Sequence, residues 1–443
     1  MGSMENARNG APGRPDGRGR EVAGIPTDDA VSRRARQRAL VIAVDRTGEG
    51  DVDELKELLR TAGVVTAGEM IQQRSEPDPD RYFGQGKLAE AKQAIERSRA
   101  NLVACDDELA PRQERNLEAE LGVPVIDRTA VILDIFADHA HSAEGKLQVE
   151  LAQLEYNLAR MRGLWTHLER LGAGIGTRGP GESQIETDRR LARDRIASLR
   201  TRLKAVEKNR GVMRSRRQDS SLPQVALAGY TNAGKSTLLN ALTGAEVGVG
   251  DRLFHTLDPT TRAFEYESRR YLVTDTVGFI EKLPHQLVEA FKATLEETVL
   301  ADLIVQVVDA SSPEEHKRAE LLAADQVLDE IGAGDKPRLL VLNKIDLLNE
   351  EARVEARIRW PEAVQISAVT GEGLDELRSA IESAFEQTMA PVELLVPYSE
   401  GARLHELHEV AGKVAREEGP EGVLVRTRLP LGELHRFDDL AVG

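Results

Sequence analysis

The chain contains 443 residues, which is too long for one compact core and suits two to four domains. Its single cysteine, Cys105, excludes a disulfide framework, and no apolar stretch approaches the roughly 18–20 residues of a membrane span. We therefore expect a cytoplasmic protein with no membrane span. We also expect a monomer. The formal net charge of −16 argues against nucleic-acid binding over the whole surface.

The first 142 residues divide into two regions of different composition. Residues 1–38 are rich in Gly, Pro, Arg and Asp without periodicity, and we expect a disordered basic N-terminal extension. Residues 39–142 alternate apolar runs with amphipathic stretches, which predicts a small parallel α/β domain. The predicted strands are 39–44, 64–67, 102–105 and 123–126, and the predicted helices are 51–62, 86–99, 111–121 and a segment from 129 onward.

Residues 143–221 contain two apolar seams with heptad spacing. The first seam consists of Leu147, Leu151, Leu154, Leu158, Met161, Trp165 and Leu168, and the second of Ala192, Ile196, Leu199, Leu203 and Val206. Steps of four and three residues place each seam on one helix face, and two such helices in one chain predict an antiparallel coiled-coil hairpin. Ser183 and Glu186 have the spacing of a capping box for the second helix.

A glycine-rich loop at 172–186 joins these two predicted helices, and the segment around it is basic. Residues 156–217 hold 16 Lys or Arg and 6 Asp or Glu, a local balance of +10 in a chain whose total is −16. Such an uneven charge distribution indicates that a polyanionic partner binds at this segment. Glycine residues let the backbone of the loop lie close to the surface of that partner. We therefore predict an RNA contact. The predicted RNA-binding residues are Gly174, Gly176, Arg178, Gly179, Gly181, Arg189, Arg190 and Arg193.

Residues 222–388 are predicted to form a second α/β domain, because four short motifs follow predicted strands. The motifs are Gly-Tyr-Thr-Asn-Ala-Gly-Lys-Ser at 229–236, Asp-Thr-Val-Gly at 275–278, Asn-Lys-Ile-Asp at 343–346 and Ser-Ala at 367–368. The first is a P-loop, G-x-x-x-x-G-K-[ST], between a strand at 224–228 and a helix at 237–242. Loop N–H groups and a helix N-terminus together hold phosphate oxygens, so we expect a bound nucleotide.

The third motif predicts that the base is guanine. The carboxylate of Asp346 can accept the N1–H and the 2-amino group of guanine, and adenine offers neither donor in that arrangement. We expect Lys344 to lie along the base and the N–H of Ala368 to donate to guanine O6. The other residues expected at the base are Asn343, Ile345, Ser367 and Val369. The combination predicts a GTPase whose substrate is GTP.

Residue types in the other motifs predict how phosphates and a metal are held. Lys235 places a positive charge against the β- and γ-phosphates, and the Ser236 hydroxyl and Asp275 would hold Mg²⁺. The N–H of Gly278 can approach the γ-phosphate because no side chain intervenes. The other expected nucleotide contacts are Gly229, Tyr230, Thr231, Asn232, Ala233, Gly234, Thr237, Thr276 and Val277.

A switch loop between the P-loop and Asp275 must supply a further hydroxyl to the metal. The candidate segment is Phe254, His255, Thr256, Leu257 and Asp258, with Thr256 as the ligand. Thr260 and Thr261 compete for this role, and spacing alone does not decide. The predicted catalytic residues are Lys235, Thr256 and Gly278.

One catalytic residue of the Ras-like pattern is absent. Ras-like enzymes place a water-orienting Gln directly after Asp-x-x-Gly, and here that position is Phe279. An apolar ring can neither orient nor deprotonate a water, so we expect slow intrinsic hydrolysis that a partner or an ion completes. Asn232 has two interpretations: a K⁺ ligand, as in potassium-stimulated tRNA-modifying GTPases, or a local turn bond.

Residues 389–443 predict a small C-terminal α/β unit. A strand at 392–396, a helix at 402–416 and a strand at 422–428 follow one another. The fold class is therefore α/β. A P-loop GTPase domain is preceded by the parallel α/β domain and the helical hairpin, and it is followed by the C-terminal unit.

From about residue 40 to the C-terminal unit, the sequence resembles HflX, a family of ribosome-associated GTPases in the Obg–HflX group. The most specific stretch is Gly-Ile-Gly-Thr-Arg-Gly-Pro-Gly-Glu-Ser-Gln-Ile-Glu-Thr-Asp-Arg-Arg at 174–190, supported by Asp-Asp-Glu-Leu-Ala-Pro at 106–111 and Arg-Asn-Leu at 115–117. The resemblance implies binding to the large ribosomal subunit and its rRNA, with a role in splitting or rescuing stalled ribosomes under stress. It also implies that Thr256 is the metal ligand, although His255 replaces the Ala of the family.

Two other functions stay open on the sequence. Asn232 favours a GTPase coupled to RNA modification, but no Cys/His cluster or second cofactor motif accompanies it. A protein-signalling switch could use the hairpin for dimerisation, but the segment with a balance of +10 would then lack a purpose.

Overall fold

The structure is a computed structural model that describes residues 37–46, 48, 50–161, 180–218, 222–244, 253–254, 259–267, 269–282, 295, 297–386, 389–411 and 414–442. Three sheets and the helices around them account for most of these residues. No helix within these ranges has the length and apolar character needed to cross a lipid bilayer. Almost all of the predicted N-terminal extension, and residues 172–179 of the predicted tip loop, lie outside them.

The first sheet contains four parallel strands in the order β2-β1-β3-β4. Its strands are β1 (Arg38–Asp45), β2 (Val65–Gln73), β3 (Leu102–Cys105) and β4 (Val125–Asp127), and its helices are α1 (Asp53–Thr61), α2 (Gln85–Ser98), α3 (Pro111–Leu121) and α4 (Arg128–His139). The two central strands, β1 and β3, are buried along nearly their whole length, because helices cover both faces of a parallel sheet. The parallel α/β fold predicted for this region is confirmed.

Asp127 ends β4 and begins α4. Its Oδ1 accepts the N–H of Ala130 at 2.9 Å, as an N-cap residue does, and its Oδ2 accepts the N–H of Leu109 at 3.1 Å. The carboxylate is fully buried, where unsatisfied oxygens would be costly. Asp127 therefore fixes the loop after β3 to the start of α4.

The helical middle region consists of α5 (Ala143–Arg160) and α6 (Pro180–Gln218). Ion pairs of 2.6 Å and 2.8 Å join Glu150 to Arg195 and Glu155 to Arg200. In each pair the two residues are 45 positions apart, so the partner of a later residue on α5 is a later residue on α6. The described parts of the two helices therefore run parallel. The seam residues Leu147, Ala192, Ile196 and Leu199 are buried as predicted, but the antiparallel orientation predicted for the two helices is wrong for these parts.

The second helix of the middle region begins earlier than predicted. Because α6 starts at Pro180, residues 180–186 are helical rather than part of the tip loop, and Gly181 lies in the first turn. The capping box assigned to Ser183 and Glu186 is therefore wrong. Proline is favoured at the first helical position, since its φ is already helical and its missing N–H has no partner there to lose.

The second sheet has six strands in the order β10-β9-β8-β5-β7-β6, and β6 runs antiparallel to β7 while the other neighbours are parallel. The strands are β5 (Gln224–Gly229), β6 (Thr260–Tyr266), β7 (Arg269–Asp275), β8 (Leu303–Asp309), β9 (Arg338–Asn343) and β10 (Val364–Gln365), and the helices are α7 (Lys235–Thr243), α8 (Glu314–Glu330), α9 (Glu350–Arg359) and α10 (Leu374–Glu386). The strands that follow β5 in the chain lie on both sides of it, with β7 on one side and β8 on the other, so the strand order reverses at β5. Ligands of open α/β sheets bind at the carboxyl ends of strands beside such a switch point.

The third sheet is antiparallel, with the order β11-β13-β12 and α11 (Gly401–Ala411) packed against it. Its strands are β11 (Met389–Pro397), β12 (Ala415–Glu418) and β13 (Gly422–Pro430). The C-terminal unit is confirmed, but its helix ends at Ala411 instead of 416, and β12 was not predicted. All four residues of β12 are exposed, so no hydrophobic pattern marks them as a strand. These residues are identified as a strand by their main-chain pairing with β13.

Candidate nucleotide site

The P-loop joins β5 to α7 and requires glycine at both of its ends. Gly229 has a φ of +146°, and a Cβ there would lie 2.2 Å from the carbonyl oxygen of Val307. Gly234 has a φ of +93°, and its Cβ would lie 2.4 Å from Nδ2 of Asn343. Each position combines a positive φ with a close contact, so other residues would be strained and would clash there.

Lys235, the first residue of α7, folds back over the loop. Its Nζ donates to the carbonyl oxygens of Gly229 at 3.0 Å and Tyr230 at 2.7 Å. Burial lowers the pKa of this ammonium to about 8, an effect that the negative charge of Asp275 opposes. The loop therefore contains a buried cation whose charge depends on pH in an accessible range.

Two of the predicted metal ligands are adjacent. The Oγ of Ser236 donates to Oδ2 of Asp275 at 2.6 Å, and Asp275 is fully buried at the end of β7. Both side chains offer hard oxygen atoms, which Mg²⁺ prefers. The pair therefore has the chemistry of a magnesium site.

The Asp-x-x-Gly segment lies directly against the P-loop. A Cβ at Gly278 would be 2.8 Å from the Cα of Thr231, so the contact requires glycine. The N–H of Phe279 donates to the carbonyl oxygen of Gly229 at 3.0 Å, and its own carbonyl accepts the N–H of Thr231 at 2.8 Å. The Phe279 ring is buried in a core that includes residues of the N-terminal domain. Phe279 therefore joins the two segments through its main chain, and its side chain packs.

Asn343 connects three loops at the ends of neighbouring strands. Its Nδ2 donates to the carbonyl oxygen of Ala233 at 2.9 Å, and its Oδ1 accepts the N–H of Ala368 at 3.0 Å. Lys344 has a φ of 64°, and its Nζ forms an ion pair of 2.7 Å with Asp309. Asp309 was not predicted, although it ends the apolar strand β8 and so obeys the same strand-end rule as the predicted residues.

The residues expected to contact the guanine base differ in how exposed they are. Asp346 is exposed in a short 3-10 helix, and Val369 is 77% exposed. The N–H of Ala368, from which we predict a bond to guanine O6, donates to Oδ1 of Asn343 at 3.0 Å. Ser367 is fully buried, and its Oγ accepts the N–H of Thr370 at 3.1 Å, which fixes the turn.

The predicted switch segment lies largely outside the described residues. His255, Thr256, Leu257 and Asp258 belong to the part of the chain that the structure leaves undescribed, while Phe254 is described and buried. Asn232 is exposed and has a φ of 61°, a left-handed conformation that Asn adopts more readily than most residues. This backbone conformation gives a reason for Asn at position 232 that needs no ion.

The predicted RNA-binding residues fall into two groups. Gly174, Gly176, Arg178 and Gly179 lie outside the described residues, whereas Gly181 is in the first turn of α6. On the same helix, Arg190 and Arg193 are exposed and Arg189 is half-buried. The structure therefore places these arginines along one helix.

A cavity of about 1320 Å³ lies between the P-loop and the N-terminal domain. Thr231, Asn232 and Ala233 line one side, and the loops after β1 and β3 line the other. The cavity also contacts Glu320 of α8, a carboxyl whose pKa burial raises to about 7. Glu320 was not predicted, because it lies within a helix and follows no strand.

Three family profiles match consecutive parts of the chain. They are described as GTP-binding GTPase N-terminal, for residues 49–137, GTP-binding GTPase Middle Region, for residues 139–217, and 50S ribosome-binding GTPase, for residues 224–344. Among solved structures, a GTP-binding protein of Sulfolobus solfataricus in complex with GDP is 26% identical, with a TM-score of 0.42, and the match covers 79% of this chain and 99% of that chain.

Curated relatives match over nearly their full length. A GTPase HflX of Lacrimispora saccharolytica is 45% identical over 400 residues, which cover 89% of this chain and 94% of the relative. The GTPase HflX of Escherichia coli is 43% identical over 412 residues, which cover 91% of this chain and 96% of the relative. The chain is therefore a GTPase that belongs to the HflX family.

Proposed function

We propose that this GTPase acts as a cytoplasmic monomer on the large ribosomal subunit. It binds the rRNA of that subunit in a GTP-dependent manner, and it splits or rescues stalled or hibernating ribosomes under stress. The observation that carries this proposal is the charge distribution. Arg190 and Arg193 are exposed on α6, within a segment of +10 balance in a chain whose total is −16. Such a basic surface on an acidic protein attracts a polyanion at that surface alone. The matched description, 50S ribosome-binding GTPase, supports the same partner.

At the nucleotide site we assign the reaction to Lys235, Thr256 and Gly278. Lys235 and the N–H groups of the P-loop would neutralise the phosphates, and the N–H of Gly278 would contact the γ-phosphate. Ser236, Thr256 and Asp275 would hold Mg²⁺, which supplies positive charge to the β- and γ-phosphates when bound. Asp346 would select guanine through its exposed carboxylate.

Hydrolysis by the free protein should be slow, because Phe279 cannot orient water. A bound subunit would accelerate hydrolysis by ordering the segments around Thr256 and Gly278. A K⁺ ion beside Asn232 is a second source of positive charge. In that case hydrolysis should be faster in K⁺ than in Na⁺ at equal ionic strength, and equal rates in the two salts would remove the ion from the mechanism.

Sedimentation with isolated large subunits tests the proposed partner. The full-length protein is centrifuged with large subunits in the presence of a non-hydrolysable GTP analogue or GDP, and small subunits are the control for general RNA binding. We expect cosedimentation with large subunits that is stronger with the analogue. Equal binding to both kinds of subunit, or none, would contradict the proposal.

The proposed splitting activity has its own test. Intact ribosomes are incubated with the protein and GTP, and free subunits are measured on sucrose gradients. Shortening segment 174–181, which includes the first two residues of α6, should abolish most of the splitting and most of the subunit-stimulated hydrolysis. Basal hydrolysis should persist, since the loop is far in sequence from the nucleotide motifs. Equal activity of the shortened and intact proteins would argue against a role for the loop.

A further inference from the structure

Lys282 connects the Asp-x-x-Gly segment to the N-terminal domain. Its Nζ donates to Oδ2 of Asp106 at 2.5 Å and to Oδ1 of Asp107 at 3.1 Å. Both aspartates belong to the loop after β3, and Asp106 is only 5% exposed. Because Asp106 is buried and the Lys282 side chain is about half exposed, water screens this pair only in part, and the pair joins the two domains.

The residue before Lys282 is held by the same domain. The N–H of Glu281 donates to Oε1 of Glu54 at 3.3 Å, and Glu54 forms an ion pair with Arg128. Arg128, which is 2% exposed, also pairs with Asp106 at 2.8 Å. Helix α1, the loop after β3 and the first residue of α4 therefore all contribute to the attachment.

The segment before the predicted switch threonine is attached to the N-terminal domain as well. The carbonyl oxygen of Phe254 lies 2.8 Å from Nδ1 of His139, and its ring centroid lies 4.6 Å from that of Phe136. The N–H of Leu253 donates to Oγ1 of Thr61 at 3.3 Å. The N-terminal domain thus contacts the GTPase domain at both segments that flank the site expected for the γ-phosphate.

Both attachment points have strained backbones. Lys282 has a φ of 51° and Phe254 a φ of 58°, in the left-handed region that residues with a Cβ seldom adopt. Such conformations persist only where the surroundings hold them, and they occur often in segments that switch. The strain is therefore stored at two of the places where the GTPase domain contacts the N-terminal domain.

The loop after β3 is bonded on its other side to helix α5. Asp127, which accepts the N–H of Leu109, also accepts the hydroxyl of Tyr156 and Nη2 of Arg160, each at 2.8 Å. Arg160 additionally donates to the carbonyl oxygen of Leu109 at 2.9 Å. Tyr156 and Arg160 lie on α5, the first helix of the middle region. Bonded residues therefore extend from α5, through the loop after β3, to Lys282.

We propose that this path couples the nucleotide state to the N-terminal domain and to helix α5, with Lys282 as the positioning residue. Lys282 lies four positions after Gly278, and four positions of chain span about 14 Å at most, so a movement of Gly278 toward a γ-phosphate displaces Lys282 or strains its ion pairs. Coupling of this kind is reciprocal, so a ligand that holds α5 changes nucleotide affinity by the same factor. The inference depends on nucleotide binding and does not depend on which partner the helical middle region contacts.

Hydrogen exchange of the full-length protein tests the coupling without a partner. On replacing GDP by a non-hydrolysable GTP analogue, we expect amide exchange in residues 102–109 and 143–160 to change by about fivefold or more. Lys282→Ala should abolish this change at both segments while GDP affinity stays within about twofold. Lys282→Arg keeps the positive charge and should retain the response. The Lys282 side chain is 48% exposed, so neither change threatens folding.

Asp51→Asn is the matched control. The Asp51 carboxylate lies 3.8 Å from Nε2 of His316 across the same domain interface. His316 lies on α8, so this contact does not involve segment 275–282. This variant should respond as the wild type does. If it loses the response together with Lys282→Ala, the effect is a general loosening of the interface and the assignment to Lys282 is wrong. The proposal is also overturned if Lys282→Ala still responds, or if the wild type exchanges alike with GDP and the analogue.

Discussion

The ammonium of Lys235 donates to the carbonyl oxygen of Tyr230 at 2.7 Å, within the loop whose phosphate contacts it is expected to complete. The carbonyl oxygen of Tyr230 therefore accepts a hydrogen bond from the same ammonium group that would donate to a phosphate oxygen. Because burial lowers the pKa of Lys235 to about 8, the protonation of this one side chain is linked to nucleotide binding.

Nucleotide affinity should fall as the pH rises above about 8. Below that pH, Lys235 is charged both in the free protein and in the nucleotide complex. Above it, the free protein has lost the Lys235 proton and must take one up when it binds the phosphates. GDP affinity should then decrease by up to about tenfold per pH unit. Titration calorimetry near pH 8.5, in buffers of different ionisation enthalpy, should detect proton uptake on GDP binding. Guanosine, which has no phosphate, is the control, and proton release with GDP would contradict the assignment.

Asp346→Asn should change the preferred base from guanine to xanthine. The change replaces an acceptor by an amide that can donate to the 2-carbonyl of xanthine, and the exposed position leaves folding intact. Losing a hydrogen bond to a charged group should weaken GTP binding about tenfold to a hundredfold. Competition of GTP, XTP and ATP against a fluorescent GDP measures the preference. If ATP competes with GTP as an equal in the wild type, guanine is not the recognised base.

Gly278→Ala should slow hydrolysis by about tenfold or more while GDP still binds. The new Cβ would lie 2.8 Å from Cα and Cγ2 of Thr231, so the Asp-x-x-Gly segment must move away from the P-loop. Single-turnover hydrolysis and GDP affinity are measured together. Gly401→Ala is the control, because no atom lies within 4 Å of a Cβ at that position. An unchanged hydrolysis rate for Gly278→Ala would show that the contact has no part in the reaction.

Replacing Arg189, Arg190 and Arg193 by Ala should weaken binding to large subunits and reduce its dependence on salt. Each lost phosphate contact should lower the slope of log affinity against log salt by about one. GDP affinity should not change. The paired control replaces Arg195 and Arg200, which already form ion pairs with Glu150 and Glu155 and should affect the slope less. Affinity that does not vary with ionic strength would indicate protein rather than RNA as the main contact.

The site could be located from the sequence because each motif follows an apolar strand. The structure brings Ser236 within 2.6 Å of Asp275, although 39 positions separate them, since β5 and β7 are neighbours in the sheet. Strand ends of a parallel sheet meet at one edge, so motif spacing and strand position are sufficient for this prediction.

Contacts that depend on tertiary register could not be located in this way. The ion pair between Lys282 and Asp106 spans 176 positions, and neither residue belongs to a pattern that names its partner. The bond that engages the N–H of Ala368 depends on which way the amide of Asn343 points, which residue type alone does not determine. The start of α6 was misplaced because a capping box and an initial proline both mark helix starts, and here the proline begins the helix.

The close approach of Gly234 and Asn343 has a consequence for how the chain can vary. A Cβ at position 234 would lie 2.4 Å from Nδ2 of Asn343, so a larger residue at 234 would displace this amide as well as adopt a strained φ. A shorter residue at 343 would in turn leave the carbonyl of Ala233 and the N–H of Ala368 without their partner. Two positions more than a hundred residues apart therefore constrain each other, and we expect related chains to retain both residues.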